Sequence, residues 1–553
     1  MSTTAEPQRL ITGTVLVLGG LYLSALAIRL VAASQLPFPA TEPSAYYAAV
    51  AQSLVNGEGL VSHGVWSYAT PPLVVPKPAF ELWLPLSSLV SAAVMAVLGP
   101  SWWAAQVGGA ILGALVAPLA WAVAHAAART AALDARRRQA TALAAGILAA
   151  ILGPLVLGAA VPDSTTPFTI FAVIAALLIP RVLGEPSRRA GLALGLALGL
   201  AYLSRQEVIW MGLTVLLMIA WVLRSRPAGS RVREGAERLW PVVVGGLVVV
   251  VPWLLRNLSV FGSVFPGQAV ENMFLVRNED IFAFAERPSA ARYLDQGLAT
   301  VLWNPVSAAW DGIVNVLLVP AFPIGLAGLI ALLGMRHSPA LRHPTALVAL
   351  LVSGGITFCA TALLFPVATR WGTFLHASGP LLVGLIVVTV LGTDALLARV
   401  SRVRHWSRPN VVLGPIAIVT VAALLGVVQL GLLSRQAGER QRQMEAVAWS
   451  LRDVAEREGL EVPATLITDR PMWLADVLER DAVALPDEGL ASIMQLSRQF
   501  AAPWVVIIDE RGRYPAALRE ETARGCLVDA PVELSGAARS AWLFRLAEAC
   551  LTA

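Results

Sequence analysis

The sequence predicts a polytopic α-helical membrane protein with a small α/β domain at its C-terminal end. Three observations carry this prediction. Of the 553 residues, 57% are hydrophobic and 14% charged, and the mean hydropathy is +0.68, far more apolar than a soluble globular chain. Apolar runs long enough to cross about 30 Å of hydrocarbon as helices recur along residues 10–434. Basic residues cluster in the short connections between alternate runs, which is the pattern of cytoplasmic loops. Those clusters account for the net charge of +5 and the pI near 9.4, and no nucleic-acid-binding signature accompanies them.

Eleven runs read as spans: residues 10–33, 103–128, 140–161, 166–184, 190–204, 208–223, 239–256, 314–334, 344–366, 379–398 and 411–434. The first is longer than a signal-peptide core and has no cleavage site, so it is expected to remain as an anchor. A twelfth stretch, "FELWLPLSSLVSAAVMAVL" at 80–98, carries Glu81 and Pro85. Topology decides its reading. The clusters at Arg129 and Arg136–Arg138, at Arg181, Arg188 and Arg189, at Arg224–Arg238, and at Arg399, Arg402, Arg404 and Arg408 all fall inside if residues 80–98 lie along the outer surface as an interfacial helix. The N-terminus is then cytoplasmic, and external loops are expected at 34–102 and 257–312, with a short turn at "VPDSTTP". Within "GLALGLALGLA", Gly191, Gly195 and Gly199 form a smooth helix face suited to close packing.

After Arg435 polar residues rise, and residues 436–553 read as a soluble extracytoplasmic α/β domain. "ATLITD" and "PWVVIID" are expected strands, "EGLASIMQLSRQF" an amphipathic helix, and "AWLFRLAEAC" is ambiguous. None of the three cysteines has metal or redox spacing. Cys359 reads as packing within an apolar run, and a Cys526–Cys550 bridge is left open. Nothing in this domain reads as a catalytic motif.

Ionisable groups at the ends of apolar runs cost several kcal/mol unless solvated or paired, so their positions are informative. On the expected outer side stand Arg29, Glu42, Lys77, Glu81, Asp163, Arg205, Glu207, Arg256 and Arg370. One external cavity would bring them together, its cations suited to a phosphate-bearing lipid and its carboxylates to an acceptor hydroxyl or amine. Each also has a structural reading. Arg29 would snorkel, and Arg205 and Glu207 would pair across a helix break. Arg256 would cap a helix C-terminus, and Arg370 would anchor a turn. Glu42 would stabilise a first helical turn, and Asp163 would cap the helix after it. Lys77, between prolines in "VPKPAF", has the weakest such alternative.

The order of these features resembles the polyprenyl-phosphate-dependent GT-C glycosyltransferases, the fold class of the protein O-mannosyltransferases and lipid A aminoarabinose transferases. The matching residues are Glu42 before Tyr46, Tyr47 and Gly57; Lys77 and Pro78 before "ELWLPL"; Asp163 in "VPDSTTP"; "GLAYLSRQE"; "PWLLRNLSVFG"; and "ATRWGTFLHASGP". They cover residues 10 to about 400. The family usually has Asp where Glu42 stands, and here the carboxylate is one residue out of register. The resemblance implies that Glu42 is the general base and Asp163 a second carboxylate orienting the acceptor or a metal. It implies that Lys77, Arg205, Arg370 and Arg256 bind the donor phosphate, with Tyr46, Tyr47 and Glu207 lining the cavity. The implied reaction transfers a sugar, with inversion, from a polyprenyl-phosphate lipid to an extracytoplasmic glycan, lipid or protein acceptor at the plasma membrane. A divalent cation is compatible with the site and not required by it. The alternative is a protein that binds or transports a lipid-linked saccharide without chemistry.

Overall fold

The computed structural model of the protein describes residues 5–184, 187–406, 413–509, 518, 525–534 and 541–552; Arg408 lies outside them. The chain opens with α1 (Ala5–Ser34), α2 (Glu42–Val55), the short strands β1 (Val61–Ser62), β2 (Gly64–Val65) and β3 (Lys77–Pro78), and α3 (Leu86–Leu98). The helix bundle continues through α4 (Trp102–Gly113), α5 (Val116–Thr130), α6 (Ala135–Ile151), α7 (Gly153–Leu157), α8 (Thr165–Leu183), α9 (Arg188–Tyr202), α10 (Val208–Leu223) and α11 (Ala228–Phe261). After an irregular loop come α12 (Ala290–Leu294), α13 (Leu298–Gly312), α14 (Ile324–Gly334), α15 (Pro339–Arg342), α16 (Ala346–Leu364), α17 (Pro366–Arg370), α18 (Thr373–Ala377), α19 (Gly379–Val403) and α20 (Leu413–Arg457).

Every expected span is helical over most of its length, yet among the described residues only seven stretches are individually long and apolar enough to cross a membrane. The others are short or broken. Residues 140–161 divide into α6 and α7 because Pro154, which lacks an N–H, follows Gly153 at the junction. Residues 314–334 begin as a π-helical turn, Ile313–Leu318, and restart as α14 behind Pro323. The helices α9 and α10 have 15 and 16 residues.

Arg29 does not snorkel. It is fully buried and donates to the carbonyls of Ala25 and Ala150 at 3.1 Å and of Ala149 and Leu155 at 3.3 Å. Three of these lie around the α6–α7 break, where a helix end leaves carbonyls without intrahelical partners, and the guanidinium's several donors satisfy them together. At the opposite end of the bundle, Arg137 and Asp394 pair at 2.5–3.0 Å, joining two segments expected on the same cytoplasmic side.

The glycine face of α9 lies on α11. A Cβ on Gly195 would fall 2.0 Å from the Val242 carbonyl, and one on Gly191 or Gly199 would strike Pro241 or Val249. Backbone contact that close is available only without side chains.

The expected division at residue 435 falls inside α20, which runs unbroken from the bundle to Arg457. Beyond it lie β4 (Thr465–Thr468), α21 (Pro471–Leu478), β5 (Asp481–Ala484), α22 (Leu490–Phe500), β6 (Trp504–Ile507), β7 (Val532–Leu534), β8 (Ala541–Arg545) and α23 (Glu548–Thr552). The sheet order is β2-β5-β4-β6-β8-β7, so its edge strand comes from the loop after α2: Gly64 and Val65 pair in parallel with Ala482 and Val483. The domain is therefore built from two distant parts of the chain. "AWLFRLAEAC" resolves into β8 and α23, Cys526 and Cys550 form a disulfide, and Cys359 is exposed on the surface of α16.

A Gly195→Leu substitution should drive α9 and α11 apart and cost about 1–3 kcal/mol or more, visible as a lowered thermal unfolding temperature in detergent. Gly212→Leu, where an added Cβ meets nothing within 4 Å, should be near neutral by the same measurement.

Candidate active site

The helix α2 organises the site. Thr41 caps it by accepting the Ser44 amide, and the chain leaves it through Gly57, whose φ of +87° is a left-handed conformation that favours glycine. Between these ends α2 buries Glu42, Tyr46 and Tyr47 in three different surroundings.

Glu42 faces the α/β domain. One carboxylate oxygen accepts the Met472 amide at 3.2 Å and the other lies 3.7 Å from the Arg470 guanidinium. Burial pushes its pKa up to about 7, against the opposing pull of Arg470 and the Met472 amide. Arg470 in turn donates to Asp509 at 3.0 Å, and Asp509 also accepts from Arg440 at 3.1 Å. Asp469, pushed up to about 6 by burial, accepts the amides of Ile508 and Asp509 at 2.8 Å.

Tyr46 accepts the Phe80 amide at 2.6 Å and packs edge-on against Trp83. Beside it Lys77 donates to the Ser67 carbonyl at 2.7 Å and pairs with Glu81, which also accepts the Thr70 amide. Tyr46, Lys77 and Glu81 share the walls of one narrow pocket with Trp66 and Trp83. The Lys77 ammonium thus has a resident counter-ion, and desolvation holds its pKa below the usual lysine range. Arg256 acts electrostatically on Tyr46 and stacks over Trp253 at 4.9 Å and Phe261 at 5.1 Å. Because α11 continues to Phe261, Arg256 does not cap its C-terminus.

Tyr47 faces the third group, around the turn before α8, where its phenol interacts electrostatically with Asp163 and Arg205. Asp163 accepts the Thr165 amide at 2.7 Å, accepts the Thr165 hydroxyl, and lies 3.2 Å from His376 Nδ1. Burial raises its pKa, but His376 and the Thr165 bonds outweigh that and hold it down at about 2. Arg205 donates to Ser164 at 2.9 Å and pairs with Glu207 at 2.5 Å. Asp163, Tyr47, Arg205 and Glu207 are therefore brought together, and Asp163, one residue ahead of the N-cap Ser164, also holds the first amide of α8.

Arg370 closes α17 with an exposed side chain and makes no ion pair among the described residues. His376, six residues on, lies inside the quoted "ATRWGTFLHASGP", yet sequence reasoning did not single it out. Arg470 gave no signal: its contact with Glu42 spans 428 positions (470 − 42). Among the described residues no group of three or more His, Cys, Asp or Glu side chains is arranged to hold a metal ion.

Residues 77–255 match the sequence model of the dolichyl-phosphate-mannose-protein mannosyltransferase family. No curated protein sequence matches the chain. Among solved structures, ArnT from Cupriavidus metallidurans bound to undecaprenyl phosphate superposes with a TM-score of 0.53 at 15% identity, covering 96% of this chain and 98% of that one. The fold is of the GT-C type. The oligosaccharyltransferase of Archaeoglobus fulgidus, in complex with zinc and sulfate, matches this chain less closely. Its TM-score is 0.50 at 12% identity, covering 96% of this chain and 73% of that one.

The two carboxylates should differ in protonation. In infrared difference spectra against Glu42→Gln and Asp163→Asn, Glu42 should show a protonated carboxyl band at pH 5 that disappears as pH rises through about 7. Asp163, held at about 2, should show none. Any stabilisation that its ionised form contributes is present above the usual aspartate range and is lost only as pH falls through about 2.

Proposed function

We propose that the protein is an integral membrane glycosyltransferase that takes a sugar from a polyprenyl-phosphate carrier and transfers it to an extracytoplasmic acceptor. The family match over residues 77–255 and the GT-C fold support a lipid-phosphate donor. The observation that carries the reading is the grouping of a buried carboxylate, a guanidinium and a phenol, Asp163, Arg205 and Tyr47, beside α2. Its cation suits a phosphate group, and α2 also carries a second carboxylate with a near-neutral pKa, suited to proton transfer at physiological pH.

In the proposed reaction Glu42 removes the proton from an acceptor hydroxyl or amine as that oxygen or nitrogen attacks the anomeric carbon. The bond from that carbon to the phosphate oxygen breaks, and polyprenyl phosphate leaves with the bonding pair. A single in-line displacement inverts the anomeric centre. Arg205 offsets the charge accumulating on the departing phosphate, with Arg370 available on the exposed turn that leads to His376 and Lys77 and Arg256 on the Tyr46 side. Asp163, kept ionised by His376 and Thr165, orients the acceptor or a bound cation, and Tyr47 and Glu207 line the cavity. In this reading the C-terminal domain lies outside the plasma membrane and the N-terminus within the cytoplasm, which the arginine clusters between the apolar runs support.

Purified protein supplied with synthetic short-chain polyprenyl-phosphate sugars should release polyprenyl phosphate. Glu42→Gln and Asp163→Asn should each lower turnover by about 10²-fold or more, and Arg205→Gln should raise KM for the donor by about tenfold or more. Equal turnover in all variants would refute these roles, and no release under any condition would favour binding or transport without chemistry.

A further inference from the structure

The residue facing the candidate base most directly belongs to the α/β domain. The segment "TDRPMW", residues 468–473, projects from the end of β4 to the start of α21. Pro471 keeps Arg470 out of the helix, at φ −136° and ψ 61°, so that its side chain reaches toward α2. We propose that Arg470 is a positioning residue that acts through Glu42, orienting its carboxylate and favouring its charged form. This rests on the reading of Glu42 as the base.

The geometry shares Arg470 between two carboxylates. Its Nε is held by Asp509 at 3.0 Å, while NH1 lies 3.7 Å from Glu42. Asp509 is fixed by Arg440, whose guanidinium stacks 4.5 Å over the Trp473 ring. The Trp473 indole donates to the Pro39 carbonyl at 3.0 Å, three residues before Glu42, so the same segment also holds the chain just ahead of the carboxylate. The Met472 amide takes the other carboxylate oxygen. A carboxylate this buried would hold its proton through the neutral range, and a base must be free of it to act. The charged groups acting on Glu42 are Arg470, which favours ionisation, and Asp469, which opposes it; Asp469 is anchored to the Ile508 and Asp509 amides.

The test is an infrared titration of the Glu42 carboxyl, identified by its loss in Glu42→Gln, alongside the pH dependence of polyprenyl-phosphate release. It compares the full-length protein with Arg470→Gln, Arg470→Met and Arg470→Lys. Removing the charge should move the Glu42 midpoint up by about one pH unit or more. The acid limb of the rate should follow, so that turnover falls about fivefold or more at pH 7 and recovers toward pH 9. Arg470→Lys should restore most of both. Arg470→Met retains the apolar stem and serves where Arg470→Gln does not assemble. An unmoved midpoint in the charge-free variants overturns the inference. A midpoint that moves while the rate limb stays fixed supports the Arg470–Glu42 coupling and overturns Glu42 as the base.

Discussion

A charge carried away from water must be met by a partner, and that requirement arranges the functional end of this molecule. Each ionisable group near the site has a specific answer: Asp163 has His376 and Thr165, Arg205 has Glu207 and Ser164, Lys77 has Glu81, and Glu42 has Arg470. Unpaired, any of them would cost several kcal/mol. The partners arrive from different helices and loops, so satisfying the charges also fixes how α2, α8 and the turns before α10 and α19 meet. Arg29 shows the same rule with neutral partners, its guanidinium answering carbonyls freed by a helix break.

The helix α2 is the element on which these pairings converge. Its first turn is gripped by the α/β domain, and its middle turns press Tyr46 against the Lys77 loop and Tyr47 against Asp163 and Arg205. The sheet reinforces the first contact, since β2 from the same loop is its edge strand. Helix bundle and sheet domain are thus welded through one loop, and a shift of the domain would reach the candidate base directly. The two carboxylates are set apart by the same surroundings. Asp163 is made a fixed charge by several donors, whereas Glu42, with fewer, is left close to its titration point.

Much of the fold was legible in the sequence because hydrophobic run length and the glycine spacing of α9 are local signals with direct physical causes. The strands at 465–468 and 504–507 were legible for the same reason. What was not legible depends on contacts far apart in the chain. The two-residue strand β2 has no periodicity of its own and is defined only by pairing with β5. The burial of Arg29 required knowing that α6 breaks beside it, and the pairings of His376 with Asp163 and Arg470 with Glu42 join residues more than 200 positions apart. The division at Arg435 followed a shift in composition, but a helix can run through such a shift when one end faces lipid and the other a sheet domain, as α20 does.

In the proposed reaction the donor phosphate binds beside α2, where the turns that carry Asp163 and Arg205 meet. Determining the structure with a non-transferable polyprenyl-phosphate sugar bound tests it most directly. The phosphate should lie within hydrogen-bonding distance of Arg205, with the anomeric carbon between that guanidinium and the Glu42 end of α2. A phosphate seated elsewhere on the bundle, with Arg205 still paired only to Glu207 and Ser164, would contradict it.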